Sequence, residues 1–271
     1  MAARPYAEVI GDPVAHSKSP LIHNFWLAKL GIDAEYRTCH VQADELVDYF
    51  ARRRRDAGWR GCNVTIPHKQ AVMPLLDNIH RQAGTIGAVN TIHLADDTGL
   101  HGKNTDFLGV WKTLDALPRR HDIDVVLIGA GGAARAACAA ISSGENGRVT
   151  VIARSEEKGA RLLKDFALTG SVEPFGTLPP AHLIVNASPL GMAGQPPLPV
   201  SLERQKEGTF VFDMVYTPLT TPLIREAEMR GLQAVNGLTM LIEQARYAFA
   251  SFFGVTPPGD DDDELRALLT A

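Results

Sequence analysis

A glycine cluster, an arginine, two loop hydroxyls and a lysine are the residues of this chain whose types and spacing suit chemistry on small polar molecules. Gly129, Gly131 and Ala134 fit G-x-G-x-x-(G/A). In that pattern the first glycine permits a tight turn, the second lets backbone approach a pyrophosphate, and the small third residue lets a helix pack close to a strand. The alanine-rich run from Ala133 to Ile141 predicts a helix whose bare N–H groups and positive dipole end face that phosphate. A site selective for the unphosphorylated dinucleotide places Asp or Glu about 20 residues further on. This chain has Ala153-Arg154-Ser155 there. An arginine at that point can fork onto a 2′-phosphate, so the residues favour NADP over NAD. The competing reading is a solvated arginine at a strand end.

In the loop Ala15-His16-Ser17-Lys18-Ser19-Pro20, residues two apart point the same way. Ser17 and Ser19 can therefore present two hydroxyls to one ligand group. Ser19 before Pro20 also reads as a helix N-cap followed by proline, an explanation that does not extend to Ser17. Further on, Thr65 or Ile66 is expected to cap a helix with Pro67 near its start, which puts Lys69 in a first turn where a cation opposes the dipole. Such a placement favours the neutral amine and suits a group that passes protons. The alternative is a lysine snorkelling to solvent. Asp106, in Asn104-Thr105-Asp106, reads equally well as an acid in the first turn of the helix that follows.

The elements that must hold these residues alternate in type along the chain. Strands are expected at Glu8–Ile10, Ala34–Val41, Gly61–Thr65 and Ala88–Leu94. A turn at Asp96-Asp97-Thr98-Gly99 should return Leu100–Lys103 antiparallel. Helices are expected over 20–30, 44–56, 71–80 and 107–117, and a polar linker runs from Pro118 to Asp122. Val125–Ile128 is wholly apolar, as in a strand covered on both faces, and Val149–Ala153 closes a βαβ unit of about 30 residues. Strands near Val172 and at His182–Val185, Phe210–Asp213 and Gly231–Val235 alternate with helices over 156–166 and 222–230. Their carboxyl ends are where ligands bind in a doubly wound sheet. The helices Leu238–Phe253 and Glu264–Leu269 close the sequence.

Length and composition set the outer bounds. The 271 residues are 45% hydrophobic and 21% charged, which suits an ordinary globular chain with room for two cores. The formal net charge of -4 leaves no basic footprint for nucleic acid, and Arg52–Arg55 reads as the last turn of a solvated helix. Cys39, Cys62 and Cys138 are odd in number and widely spaced, which suits reduced thiols in the cytoplasm. No apolar run reaches membrane-spanning length, and the histidines lack metal-ligand spacing, so neither a membrane nor a metal is expected.

Ordered motifs run from Ile10 to about Pro257. They are Gly11-x-Pro13-x-x-His16-Ser17-x-Ser19-Pro20, Asn63-Val64-Thr65-x-Pro67-x-Lys69, Gly87-Ala88-Val89-Asn90-Thr91 and Gly102-x-Asn104-Thr105-Asp106. After them come Gly129-Ala130-Gly131-Gly132-Ala133, Asn186-x-Ser188-x-x-Gly191-Met192, Tyr216-x-Pro218 and Met240-Leu241-x-x-Gln244-Ala245. In this order they resemble the shikimate dehydrogenase family. The resemblance implies an α/β fold in which an N-terminal α/β substrate domain with a mixed sheet (1–103 and 237–271) accompanies a Rossmann-type NADP-binding domain (104–236), with the last helices returning to the first. It also implies reversible reduction of 3-dehydroshikimate to shikimate by NADPH.

The resemblance further assigns the substrate carboxylate to Ser17, Ser19 and Tyr216, and the ring hydroxyls to Thr65, Lys69, Asn90, Asp106 and Gln244. It pairs Lys69 with Asp106 as the catalytic groups. Besides Gly129, Ala130, Gly131, Gly132, Ala133 and Arg154 around the dinucleotide, it places Asn186, Gly237 and Met240 along the nicotinamide. The sequence departs from the family at Ala153, where many members carry asparagine before the arginine. A monomer or homodimer in the cytoplasm is expected. The rival readings are a quinate or aminoshikimate dehydrogenase of the same family and a dinucleotide-binding sensor without turnover, for which a proton donor such as Lys69 has no use.

Overall fold

The computed structural model describes residues 3–95, 99–116, 122–144 and 146–270. The turn expected at Asp96-Asp97-Thr98 and the linker expected from Pro118 lie outside them. The chain forms two compact units, Met1–Thr105 with Ile242–Ala271, and Asp106–Leu241. Among the described residues no helix is long and apolar enough to cross a membrane.

The first unit runs β1 (Tyr6–Gly11), α1 (Ser19–Lys29), β2 (Glu35–His40), α2 (Leu46–Arg53), β3 (Trp59–Val64), β4 (Asn78–Ile79), α3 (Arg81–Ile86), β5 (Thr91–Leu94) and β6 (Leu100–Lys103). Its sheet has the order β2-β1-β3-β5-β6-β4. β1 lies parallel to β2 and β3, whereas β5 runs antiparallel to β3 and β6. One edge of the sheet therefore collects the carboxyl ends of β1, β3 and β6 and the amino end of β5. The Ser17, Thr65, Asn90 and Thr105 segments all leave from that edge.

The second unit begins with α4 (Asp106–Asp115) and continues β7 (Ile123–Ile128), α5 (Gly132–Ser142), β8 (Asn146–Ile152), α6 (Glu156–Asp165), β9 (Gly170–Glu173), β10 (Leu183–Asn186), β11 (Phe210–Asp213), α7 (Pro222–Met229) and β12 (Gln233–Val235). The order β12-β11-β10-β7-β8-β9 is parallel throughout and reverses direction between β7 and β10. The apolar run of β7 is explained by burial on both faces. Val125 and Leu127 join one core while Val126 and Ile128 join the other. The chain ends with α8 (Leu238–Phe253) and α9 (Asp262–Thr270). On α8, Ile242, Ala245, Ala248, Phe249 and Phe252 recur at helical spacing and are buried.

Three expectations need correction. No α-helix carries Lys69, nor does one span 71–80. From Ile66 the backbone passes through turns, closed by the His68 N–H on the Thr65 carbonyl at 2.9 Å, into a 3-10 turn at Met73–Leu75, and then into β4. Pro74 supplies no N–H for the Gln70 carbonyl and its ring crowds that carbonyl, so regular helical bonding cannot propagate there. The opposition between Lys69 and a helix dipole disappears with the helix. The helix that does form nearby, α3, was not anticipated, although Gly87 in the left-handed region (φ 68°) is the kind of residue that ends one.

Ser19 is the first residue of α1 rather than its cap; Lys18 takes the cap position without a side-chain capping bond. The basic run at the end of α2 is not wholly solvated either. Arg53 donates through Nε to Glu8 Oε1 at 2.5 Å, and Glu8 is fully buried. Arg54 pairs with Asp77.

Candidate active site

At the edge of the first unit, backbone pairing places the serine loop against the lysine loop. The Thr65 N–H donates to the Ile10 carbonyl at 2.9 Å and the Asp12 N–H to the Ile66 carbonyl at 3.0 Å. A Cβ on Gly11 would lie 2.4 Å from Thr65 Cγ2, so the absence of a side chain there permits the approach. Ser17 Oγ accepts the Ser19 N–H at 3.3 Å. Ser17 thus has a local structural use that its sequence context did not suggest, and it keeps its hydroxyl hydrogen for a ligand. Lys69 is fixed through its backbone. Its carbonyl accepts the Val89 N–H at 2.8 Å, and the ring of the neighbouring buried His68 has Nε2 2.7 Å from the Val41 carbonyl.

Asn90, one residue beyond Val89, sits in a buried polar network. Its Oδ1 accepts the Thr105 N–H at 2.7 Å, and its Nδ2 donates to Thr105 Oγ1 at 3.0 Å. Thr105 Oγ1 lies 3.4 Å from Gln244 Oε1, which brings Gln244 of α8 to the same edge. Behind them, Asn63 Nδ2 donates to the Asn90 carbonyl at 3.2 Å and to Thr91 Oγ1 at 3.0 Å, while Asn63 Oδ1 accepts the Tyr36 hydroxyl at 2.6 Å. Thr91 and Thr105 stand within the quoted motifs but had no role in such a network assigned from sequence, and Tyr36 was not singled out at all. The available signal was the pair Asn63 and Thr91, each beside apolar neighbours in its strand and facing the other in register, since buried polar groups require partners.

Asp106 follows Thr105 as the first residue of α4 and is buried. Within the second unit it stands close enough to Tyr216 to act on it. The Tyr216 phenol is held above its ordinary range by burial first and by the Asp106 carboxylate second.

On the second sheet, Gly129 adopts φ 110°, a left-handed conformation that favours glycine, and a Cβ there would sit 3.2 Å from Ala187 backbone and the Ser188 nitrogen. This is the switch point between β7 and β10. Gly131 differs. It is the N-cap of α5 with φ -95° and ψ -168°, which any residue adopts, and a Cβ would meet nothing within 4 Å. Among the described residues no contact calls for a glycine there, and no side chain caps the first-turn N–H groups. An open cradle of donors is what a pyrophosphate needs, so the loop from Gly129 through Ala130, Gly132 and Ala133 fits a dinucleotide. Ala134 is fully buried, as close helix packing requires. Arg154 is exposed just beyond β8, while its neighbour Ser155 caps α6 by accepting the Lys158 N–H.

Asn186 is fully buried and its amide is committed within the protein. It donates to Asp213 Oδ1 at 2.9 Å and accepts the Ser188 hydroxyl at 2.7 Å and the Ser188 N–H at 3.1 Å. Asp213 also accepts the Thr221 hydroxyl at 2.6 Å, and burial pushes its carboxyl above the ordinary carboxylate range. Gly237 leaves room for Met214, whose carbonyl oxygen would lie 2.1 Å from an added Cβ. Met240 packs on Gly109 of α4.

A mixed-sheet unit with a buried polar network, and a parallel doubly wound unit with an open glycine cradle, define the class as two-unit α/β proteins of the dinucleotide-dependent kind. Residues 9–92 match the family of shikimate dehydrogenase substrate binding domains. The chain is 53% identical, over 99% of its length and 98% of the relative's, to the NADP(+) shikimate dehydrogenase of Sphingopyxis alaskensis. It resembles the solved structure of shikimate 5-dehydrogenase from Thermus thermophilus in complex with NADP(H) and shikimate, at 32% identity and TM-score 0.85, covering 98% of this chain and 99% of that one. It also resembles the ligand-free 5-ketofructose reductase of Gluconobacter sp. strain CHM43, at 26% identity and TM-score 0.84, covering 99% and 98%. The chain belongs to the shikimate dehydrogenase family.

Proposed function

We propose that this chain interconverts 3-dehydroshikimate and shikimate with NADPH and NADP, a step of the shikimate pathway that leads to the aromatic amino acids. The observation that carries the reading is the fixed edge of the first unit. There the Lys69 backbone is bonded to Val89, and the next residue, Asn90, is locked to Thr105 and through it to Gln244. Reducing a ketone requires a hydride at carbon and a proton at oxygen; bound NADPH supplies the hydride. Lys69 supplies the proton and, in the oxidising direction, takes it back, with Asp106 as its acidic partner. Ser17, Ser19 and Tyr216 hold the substrate carboxylate. Thr65, Asn90 and Gln244 take the ring hydroxyls, so the polyol ring is read by groups whose hydrogen-bonding directions are already set.

In this reading Met1–Thr105 with Ile242–Ala271 is the substrate unit and Asp106–Leu241 the NADP unit. Gly131 and the first turn of α5 meet the pyrophosphate, and Arg154 meets the 2′-phosphate. Asn186, Gly237 and Met240 shape the nicotinamide side; Asn186 does so through the loop it holds, because its own amide is occupied. The enzyme acts in the cytoplasm as a monomer or homodimer, a placement supported by its free cysteines. Absorbance at 340 nm tests the reading. Shikimate with NADP should give steady reduction, faster than shikimate with NAD. Failure to reduce either dinucleotide with shikimate, quinate or aminoshikimate would leave the sensor reading in its place.

A further inference from the structure

Lys18 stands between the two serines assigned to the substrate carboxylate. Its ammonium donates to the Leu269 carbonyl in the last turn of α9. The final carbonyls of a helix have no partner inside the helix and form the negative end of its dipole, so a lysine suits them. The other end of α9 is also tied. Asp262, its first residue, receives two hydrogen bonds from Arg246 Nη2 at 2.6 and 2.7 Å, and Arg246 donates to the Pro258 carbonyl at 2.8 Å as well.

Arg246 lies on α8, two residues beyond Gln244, and is itself buried. Between these ends Leu265 and Leu269 are buried, and Lys29 of α1 bonds Asp261 and Glu264. α9 is therefore fastened at one end to the helix that carries Gln244 and at the other to Lys18, which lies between Ser17 in the loop and Ser19 at the start of α1.

We propose that α9 is a brace for substrate recognition, and that Lys18 is a positioning residue. Held by the Leu269 carbonyl, Lys18 fixes the spacing of the Ser17 and Ser19 hydroxyls, so the C-terminal helix sets affinity for the substrate carboxylate. The inference rests on the assignment of those serines. It gives α9, which carries no residue of the reaction, a defined effect on it.

The test is a cycle of steady-state measurements on Lys18→Met, on a chain shortened to end at Arg266, and on the two changes combined, with Ser17→Ala alongside. Lys18→Met and the shortening should each raise KM for shikimate about tenfold, the size of effect expected from one charge-assisted hydrogen bond. KM for NADP should stay within about twofold, and the combined protein should be no worse than either, because both changes remove the same bond. The inference is overturned if Lys18→Met leaves KM for shikimate unchanged. It is also overturned if the two effects multiply, or if kcat and both KM values move together with Tm.

Should the shortened chain not fold, the ratio of Lys18→Met to wild-type KM decides instead. A ratio that holds between about 0.05 and 0.5 M salt supports a held lysine; one that collapses with salt marks a free charge acting on the substrate. If Ser17→Ala also leaves KM for shikimate unchanged, the underlying serine assignment fails. If Ser17→Ala raises it and Lys18→Met does not, only the brace fails.

Discussion

His23 illustrates how far a single side chain in this protein can depart from its solution behaviour. It lies on α1 with its ring stacked 3.9 Å from Tyr36 and bordered by Trp26 and Phe249, and neither ring nitrogen has a hydrogen-bond partner among the described residues. Burial lowers its pKa from 6.5 to about 3. The unfolded chain takes up a proton below about pH 6.5 while the folded chain stays neutral, so this contribution to stability is complete above that pH and shrinks as pH falls. By pH 5 the loss is about 2 kcal/mol. Urea unfolding at pH 7.5 and pH 5 should show His23→Phe losing about that much less than the wild type across the interval. Equal losses would show that His23 titrates normally in the folded protein. The same Tyr36 that stacks on His23 donates to Asn63, so this core residue lies directly behind the network that orients Asn90.

At the scale of elements, the glycines of the second unit separate structural from ligand-directed use. Gly237→Ala would drive a methyl group into the Met214 carbonyl and must displace the turn that opens α8, so a Tm loss of several degrees is expected. Gly131→Ala meets no neighbour, so Tm should stay within about two degrees while KM for NADP rises at least tenfold. Thermal melts and NADP titrations of both variants check the contrast, and a Gly131→Ala protein with unchanged KM would place the phosphates elsewhere. These elements were legible in the sequence because strands such as β7 are covered on both faces and read as unbroken apolar runs. The segment from Thr65 to Ile79 was not legible. Apolar spacing there imitates a helix, and the outcome was decided by Pro74 and by turn hydrogen bonds that leave no periodic trace.

For the molecule as a whole, the motifs in their fixed order made the family legible, although single residues within them, Ser19 before Pro20 and Lys69 among these, had structural readings as well. The supporting shell stayed hidden. Tyr36, Asn63, Thr91 and Thr105 come together through the strand order β2-β1-β3-β5-β6, which no local pattern encodes. In the proposed reading one unit fixes a polyol, the other cradles a dinucleotide, and Lys69 moves the proton; that last assignment is the central one. The direct measurement is kcat of Lys69→Ala in shikimate oxidation, with shikimate affinity measured in parallel. If Lys69 moves the proton, kcat falls by a factor of about 10² to 10⁴ with binding retained within about tenfold. A kcat within about twofold of the wild type would contradict it.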